Sequence, residues 1–195
     1  MNFLPGEPYH VYNRGNNRER TFFTRENYLY FLRKVRKEWQ QWADIVSFSI
    51  MPNHFHFILI PKAAGCEYIL IKEKELHLQK LSKAIGKTLS SYTRAINIQQ
   101  NKSGSLFQKK TKAKPLFNSD GENYLEHCVG YIHNNAFVAG LVKDPYDWEF
   151  SSLIDYANLR AGTLCNKDWL FRNIDFAFEF KKENISNRKW PVEVF

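Results

Sequence analysis

The stretch "SFSIMPNHFHFILIPK", residues 47–62, decides the fold. Its β-branched and aromatic residues read as two strands, and Pro52-Asn53 between them reads as a tight turn. The two strands form an antiparallel hairpin. Within the second strand, His54 and His56 stand one residue apart, and side chains at i and i+2 of a strand share a face. The imidazoles are therefore expected side by side, with Phe55 and Phe57 turned to the opposite face. Such a pair can grip one metal ion. It can equally be a polar pair on a solvent-facing strand, so the rest of the chain must decide.

Working outward, "YHVYN" (9–13) reads as a short strand followed by the polar, Gly-containing loop "RGNNRER". Thr24 is placed to cap a helix over 25–42, whose apolar or aromatic positions 28, 31, 32, 35, 39 and 42 have helical spacing. Residues 63–74 show no clear type and read as a loop or insertion. The segment 75–97 repeats apolar residues at 78, 81, 85, 89, 92 and 96, a second amphipathic helix despite Gly86. The basic run "KSGSLFQKKTKAKPLF" leads into a last strand at "TKAKPLF", and Asp120 is placed to cap a third helix, "GENYLEHCVGYIHNNAFVAGL". The order β-α-β-β-α-β predicts an α+β, ferredoxin-like split β-α-β antiparallel sheet with helices on one face. Residues 1–145 form the main unit, and 146–195, with "DWLFRNIDFAFEFKKEN", form a C-terminal helical extension packed on the same domain.

The totals bound the function. At 195 residues there is room for one domain with a real core. A formal charge of +8 and a pI near 9.3 favour a polyanionic partner, nucleic acid being the simplest. Aromatic residues make up 16% of the chain, enough both to fill a core and to stack on bases. Cys66, Cys128 and Cys165 are odd in number and lack CxxC spacing, which argues against a disulfide framework or a zinc knuckle. The opening "MNFLPGEPYH" lacks a signal-peptide pattern, and no run reaches the roughly 20 apolar residues of a membrane span. A cytoplasmic location is expected.

A metal on the histidine pair needs a third ligand. The third helix offers Tyr131 and Asn135, four residues apart and so on one face. A phenol held beside a metal on His54, His56 and Asn135 can attack a phosphodiester while the metal neutralises growing charge. The alternative reading of Tyr131 is a core aromatic, and Tyr124, on nearly the same face, is the rival nucleophile, although Cys128 rather than an amide follows it at i+4. His127 and His133 are expected on the helix surface, and His10 is expected to be structural. Arg14, Asn16, Asn17, Arg18 and Arg20, with Lys109, Lys110, Lys112 and Lys114, form either a solvated basic face or a DNA-binding one. Their position in loops flanking the strands favours DNA.

"PNHFHFILIP" followed by "YIHNNAFVAGLV" resembles the HUH single-tyrosine transposases, nearest to the REP-associated tyrosine transposases. "YHVYNRGNNRERTFF" is similar to their opening strand and loop, "GSLFQKKTKAKPL" to their basic segment, and "YDWEFSSLIDY" to their post-catalytic stretch, in order from about residue 9 to 156. The resemblance implies that 1–145 is a catalytic domain in which His54, His56 and Asn135 bind Mg²⁺ or Mn²⁺ and Tyr131 is the nucleophile. It implies a single-stranded DNA endonuclease and strand transferase. Attack would leave a 5′-phosphotyrosine and a 3′-OH able to rejoin, at hairpin-forming repeats. Relatives act as homodimers or as monomers. Two features depart from the family pattern. Ala136 stands where Pro commonly follows the Asn, a position at which Pro would end or kink the helix. "KKTKAK" carries lysines where an Arg is often found, giving point charges rather than bidentate forks.

A different class of function shares the fold. A split βαβ sheet with exposed aromatics is also the frame of RNA-recognition modules, so a non-catalytic single-stranded nucleic-acid binder, of RNA or DNA, is the alternative. "HVYNRG" and "HFHFILI" lack the RNP pattern of Gly and aromatics, which ranks it lower. A zinc hydrolase has little support, since no HExxH is present.

Overall fold

The computed structural model describes residues 1–71, 76–117 and 124–174. Strands β2 (Ala43–Met51) and β3 (His54–Pro61) form the expected hairpin, with Met51 opposite His54 across the Pro52-Asn53 turn. β1 (Tyr9–Arg14) pairs with β3 and with β6 (Lys112–Pro115), giving a four-stranded antiparallel sheet in the order β2-β3-β1-β6. Helix α1 (Arg25–Trp39) connects β1 to β2, and α3 (Lys80–Gln100) lies between β3 and β6. This is the split β-α-β arrangement in an α+β chain.

The alternation of β3 divides the molecule. Phe55, Phe57 and Leu59 face α1 and α3 in one large aromatic core. The Phe31 ring lies 5.2 Å from Phe55 and 5.0 Å from Tyr92, and Trp39 lies 5.1 Å from Phe57. Polar tips within this layer find partners: Trp39 Nε1–H donates to Thr88 Oγ1 at 2.9 Å and the Tyr92 hydroxyl to the Thr21 carbonyl at 3.0 Å. The helices expected on one face are thus α1 and α3. Helix α4 (Tyr124–Val138) lies on the opposite face, where Leu125, Val129 and Ile132 cover Val46, Ile58 and Ile60. The same period of two that points the phenylalanines to α1 points Ile58 and Ile60 away from it, and those side chains need a cover of their own.

The segment after α4 packs on that second face. A β-bulge between Ile45 and Ser47 inserts Val46, and the freed carbonyls are taken up locally. Asn166 N–H donates to the Ile45 carbonyl at 2.7 Å and the Tyr156 hydroxyl to the Val46 carbonyl at 2.5 Å. Short helices α5 (Leu153–Tyr156) and α6 (Lys167–Asn173) carry the buried Leu153, Tyr156 and Leu170.

Some boundaries move. The 63–74 stretch contains α2 (Ala63–Cys66) and β4 (Tyr68–Ile71), and β4 pairs with β5 (Leu76–Gln79) in a separate two-stranded hairpin. The helix expected from residue 75 therefore begins at Lys80, because "LHLQ" alternates with the period of a strand before the helical spacing sets in. α3 runs to Gln100 and stops where Asn101 adopts φ 50°, its N–H directed at the Asn97 and Ile98 carbonyls. α1 ends at Trp39, three residues short of the expected Trp42. Asp120, expected to cap α4, and residues 175–195, including most of "DWLFRNIDFAFEFKKEN", lie outside the described residues.

Candidate active site

Directly opposed residues of paired strands share a face, so the register gives the floor beneath α4. Met51, His54 and Arg14 form one row; Ser49, His56, Tyr12 and Lys112 the next; Ser47, Ile58, His10 and Lys114 the third. His54 and His56 stand side by side as expected, with ring centroids 5.0 Å apart at 85°. Tyr131 comes down from α4 with its ring 5.5 Å from that of His56, edge to face. One turn further along, the buried Asn135 side chain lies against both the His54 imidazole and the Tyr131 phenol, where its dipole favours the charged form of each. The structure therefore brings together the four residues singled out as nucleophile and ligands. Tyr124, the rival, opens α4 at the surface, about 10 Å away along the helix axis.

Helix α4 continues through Ala136 to Val138. It ends in a left-handed Gly140, φ 69°, whose N–H donates to the Phe137 carbonyl at 2.9 Å while Leu141 N–H donates to the Ala136 carbonyl at 3.0 Å. This pair of bonds is a Schellman ending. Without a Pro at 136, the stop falls to Gly140, and Tyr131 and Asn135 sit in regular helix.

Burial lowers the His54 imidazole to about 4, with the Asn135 side chain opposing and the Arg14 charge adding to the shift. Burial, then His10 and His54, hold His56 well below its ordinary value. Both rings are neutral near pH 7, the form in which an imidazole ligates a metal. Burial pushes the Tyr131 phenol up, partly offset by the Asn135 side chain, so forming a phenolate here calls for a nearby positive charge.

Among the described residues, no cluster of three or more His, Cys, Asp or Glu marks a metal centre. The available donor set is two imidazoles and one carboxamide oxygen, a combination suited to a borderline divalent ion such as Mn²⁺ and open to added oxygen ligands from a phosphate. The geometry of His54 fits ligation. Its Nδ1 lies 2.6 Å from Asn53 Oδ1, and the Asn53 amide is oriented by donation from Nδ2 to the Arg18 carbonyl at 3.0 Å. His54 therefore donates from Nδ1–H, and its Nε2 carries the lone pair. The Nδ1 of His56 lies 2.8 Å from Nε2 of the buried His10. Tyr12 stacks on His10 at 4.7 Å and on His56 at 5.8 Å. His10, expected to be merely structural, thus touches the site.

The basic residues separate into two groups. Arg14, Lys110 and Lys112 line a cleft of about 100 Å³ beside His54, His56 and Tyr12, too small to enclose a nucleoside but open to a phosphate. Lys114, exposed, stands opposite His10 on the same face. Asn16, Asn17 and Arg20 instead line a separate groove with Asn97 and Lys102. There Asn16 Nδ2 donates to the Ser105 carbonyl at 2.7 Å and Arg20 Nε to the Phe22 carbonyl at 2.7 Å, so both also brace the loop. Arg18, at φ 60°, and Lys109 are exposed and line neither cavity. His127 is at the surface as expected, but His133 is buried, its Nε2 2.7 Å from Ser152 Oγ and 3.1 Å from Ser47 Oγ. The α4 face toward β2 is fully covered, and an imidazole there serves as a packed hydrogen-bonding group.

Three residues at the site, His10, Tyr12 and Asn53, do not stand out as functional in the sequence. The first two, with Arg14, fall at alternating positions of "YHVYNR", a signal that they share a face with whatever that strand's polar side serves. Asn53 carries no signal beyond its place in the turn.

No protein-family model matches the chain, and no curated protein does. A solved structure does: that of a REP-associated tyrosine transposase bound to a REP hairpin has TM-score 0.58 and 19% identity, covering 87% of this chain and 88% of that one. The chain has the fold of that transposase. Among the described residues, no helix is long and apolar enough to cross a membrane.

Proposed function

We propose that this chain cuts and rejoins single-stranded DNA at hairpin-forming repeats, with Tyr131 as the nucleophile. The observation that carries the proposal is the convergence of His54, His56, Tyr131 and Asn135 under α4, next to a cleft lined by Arg14, Lys110 and Lys112. The similar solved structure holds a REP hairpin, which supports DNA of that form as the partner.

The phenolic oxygen of Tyr131 attacks the phosphorus. A Tyr–O–P bond forms, the bond from phosphorus to the 3′ oxygen breaks, the phenol gives up its proton, and the departing 3′ oxygen takes one. The product is a 5′-phosphotyrosine and a 3′-OH, and attack by a 3′-OH reverses the step without an outside energy source. His54, His56 and Asn135 are the residues that would hold Mg²⁺ or Mn²⁺. Bound there, such an ion supplies a Lewis acid for the phosphate oxygens and positive charge that favours the phenolate. Asn135, lying against the phenol, orients it, and Arg14 and Lys112 hold the backbone against the sheet.

The alternative of a non-catalytic binder is less well supported. α4 covers the β2–β3 half of the sheet surface on which RNA-recognition modules stack bases. Incubating the protein with hairpin-bearing single strands and Mn²⁺ should yield a covalent adduct on wild type and none on Tyr131→Phe. His54→Ala should lose cleavage and keep most of its DNA affinity, because the lysines and arginines supply the binding. An adduct that persists in Tyr131→Phe would show that another residue is the nucleophile. Tight binding with no adduct from wild type would favour the non-catalytic reading.

A further inference from the structure

Each imidazole of the pair is held from behind through its Nδ1. Asn53 Oδ1 takes that role for His54 at 2.6 Å, and His10 Nε2 takes it for His56 at 2.8 Å. The two contacts differ in kind. An amide oxygen, oriented by its own amide's bond to the Arg18 carbonyl, can only accept. A histidine nitrogen can donate or accept, so the proton between His10 and His56 has two possible owners. If His10 donates, His56 carries its remaining proton on Nε2 and cannot ligate from that nitrogen. If His10 accepts, His56 is the Nδ1–H tautomer and Nε2 holds a lone pair, matching His54.

We propose that His10 is a positioning residue that accepts the Nδ1–H of His56 and so keeps His56 in the tautomer able to bind a metal. This rests on the metal-site reading given above for the pair. That reading calls for an acceptor: His10 engages Nδ1 of His56, so Nε2 is the nitrogen left to a metal and the proton belongs on Nδ1. His10 is 2% exposed and stacked against Tyr12, so its ring cannot swing away. At 2.8 Å the two nitrogens share one proton. Outer partners of metal-bound histidines act in this way, fixing ring and tautomer. Here the partner is a second histidine one strand over, placed by the β1–β3 register that sets His10 opposite Ile58 and Tyr12 opposite His56.

The test begins without metal. In ¹⁵N-histidine-labelled wild-type protein treated with EDTA, two-bond ¹H–¹⁵N spectra should report His56 as the Nδ1–H tautomer and His10 as a proton acceptor at Nε2. A spectrum with the His56 proton on Nε2 would overturn the proposal. His10→Leu removes the acceptor and should weaken Mn²⁺ binding, read by electron paramagnetic resonance in the absence of DNA, by roughly 10- to 100-fold. His10→Gln, whose side-chain oxygen can accept the same proton, should recover much of that loss. If folded His10→Leu binds Mn²⁺ as wild type does, His10 positions nothing. A wild-type protein that binds no Mn²⁺ would instead sink the metal-site reading, and the metal-free spectrum would still decide the role of His10.

Discussion

The two faces of the sheet are built from the same strands in the same register, yet they are filled differently. Toward α1 and α3, strands β1 to β3 present Val11, Phe48, Ile50, Phe55 and Phe57, and the helices answer with Phe31, Trp39 and Tyr92. Toward α4, the same strands present His10, Tyr12, Arg14, Ser47, Ser49, His54 and His56. Apolar side chains gather on that face around Ile58 and Ile60. One residue of register separates a phenylalanine from a histidine along β3. The first face holds the molecule together by burial. The second gives up apolar contact for polar groups that must be individually satisfied, an arrangement that costs stability and is typical of a site kept for chemistry.

Substitutions on the two faces should therefore act on different properties. Tyr131→Phe should take adduct formation to background while leaving thermal unfolding almost unchanged, since only a buried hydroxyl and its polar contact with Asn135 are lost. The net value of a polar contact of that kind is about 1 kcal/mol. Both properties can be measured on one preparation, by adduct gel and by calorimetry. A large drop in stability would mean that the phenol belongs to the packing.

Phe57→Ala reverses the pattern. Phe57 is fully buried among Trp39, Phe48 and Phe55, and truncating a buried Phe costs about 3–5 kcal/mol. Urea denaturation should show that loss, while the folded fraction at low temperature should still form adduct. Loss of activity in a folded Phe57→Ala protein would break the comparison, because it would show that the imidazoles depend on packing behind them.

The same division explains which features are legible in the sequence. The hairpin, the split βαβ order and the His54/His56 face follow from a period of two in "HFHFILI", and the Tyr131/Asn135 pairing from a helical period. Those are local rules, and local rules suffice for them. The placement of α4 on the second face is a tertiary outcome, fixed by the need to cover Ile58 and Ile60 as well as by its own sequence. "LHLQ" reads as the start of a helix because Leu78 falls in step with the helical spacing that follows it. Its strand form depends on pairing with β4, a partner in a stretch of no clear type. His133 escapes a local reading for a similar reason. Its neighbours on α4 are buried nearly all round, Ile132, Asn134 and Asn135 among them, so that part of the helix has no solvent face on which to put it. The contact of His10 with His56 depends on strand order, β1 beside β3, which no stretch of the sequence states by itself.

The basic edge of the α4 face gives a smaller effect. Lys112 and Lys114 are exposed on β6 and lie in the rows of His56 and His10. If single-stranded DNA crosses that edge, replacing both with Ala should reduce the steepness of the log affinity against log salt plot by about 0.7 per lost phosphate contact. Titrations of a labelled oligonucleotide at several salt concentrations would show it. An unchanged slope would move the DNA path to the separate groove of Asn16, Asn17 and Arg20.

The smallest predicted effect is a gain. Gly86 lies in the middle of α3, exposed, and a Cβ built there meets no atom within 4 Å. Glycine in a helix interior costs about 0.8–1.0 kcal/mol relative to alanine, because its backbone loses more freedom on folding. α3 belongs to the face that holds the molecule together, through Leu81, Ile85 and Tyr92. Gly86→Ala should therefore raise the unfolding free energy by about that amount in urea titration and leave both the salt slope and adduct formation as they are. A loss of DNA affinity in this variant would show that α3 bends or moves when DNA binds, and the stability layer would then be part of the working surface after all.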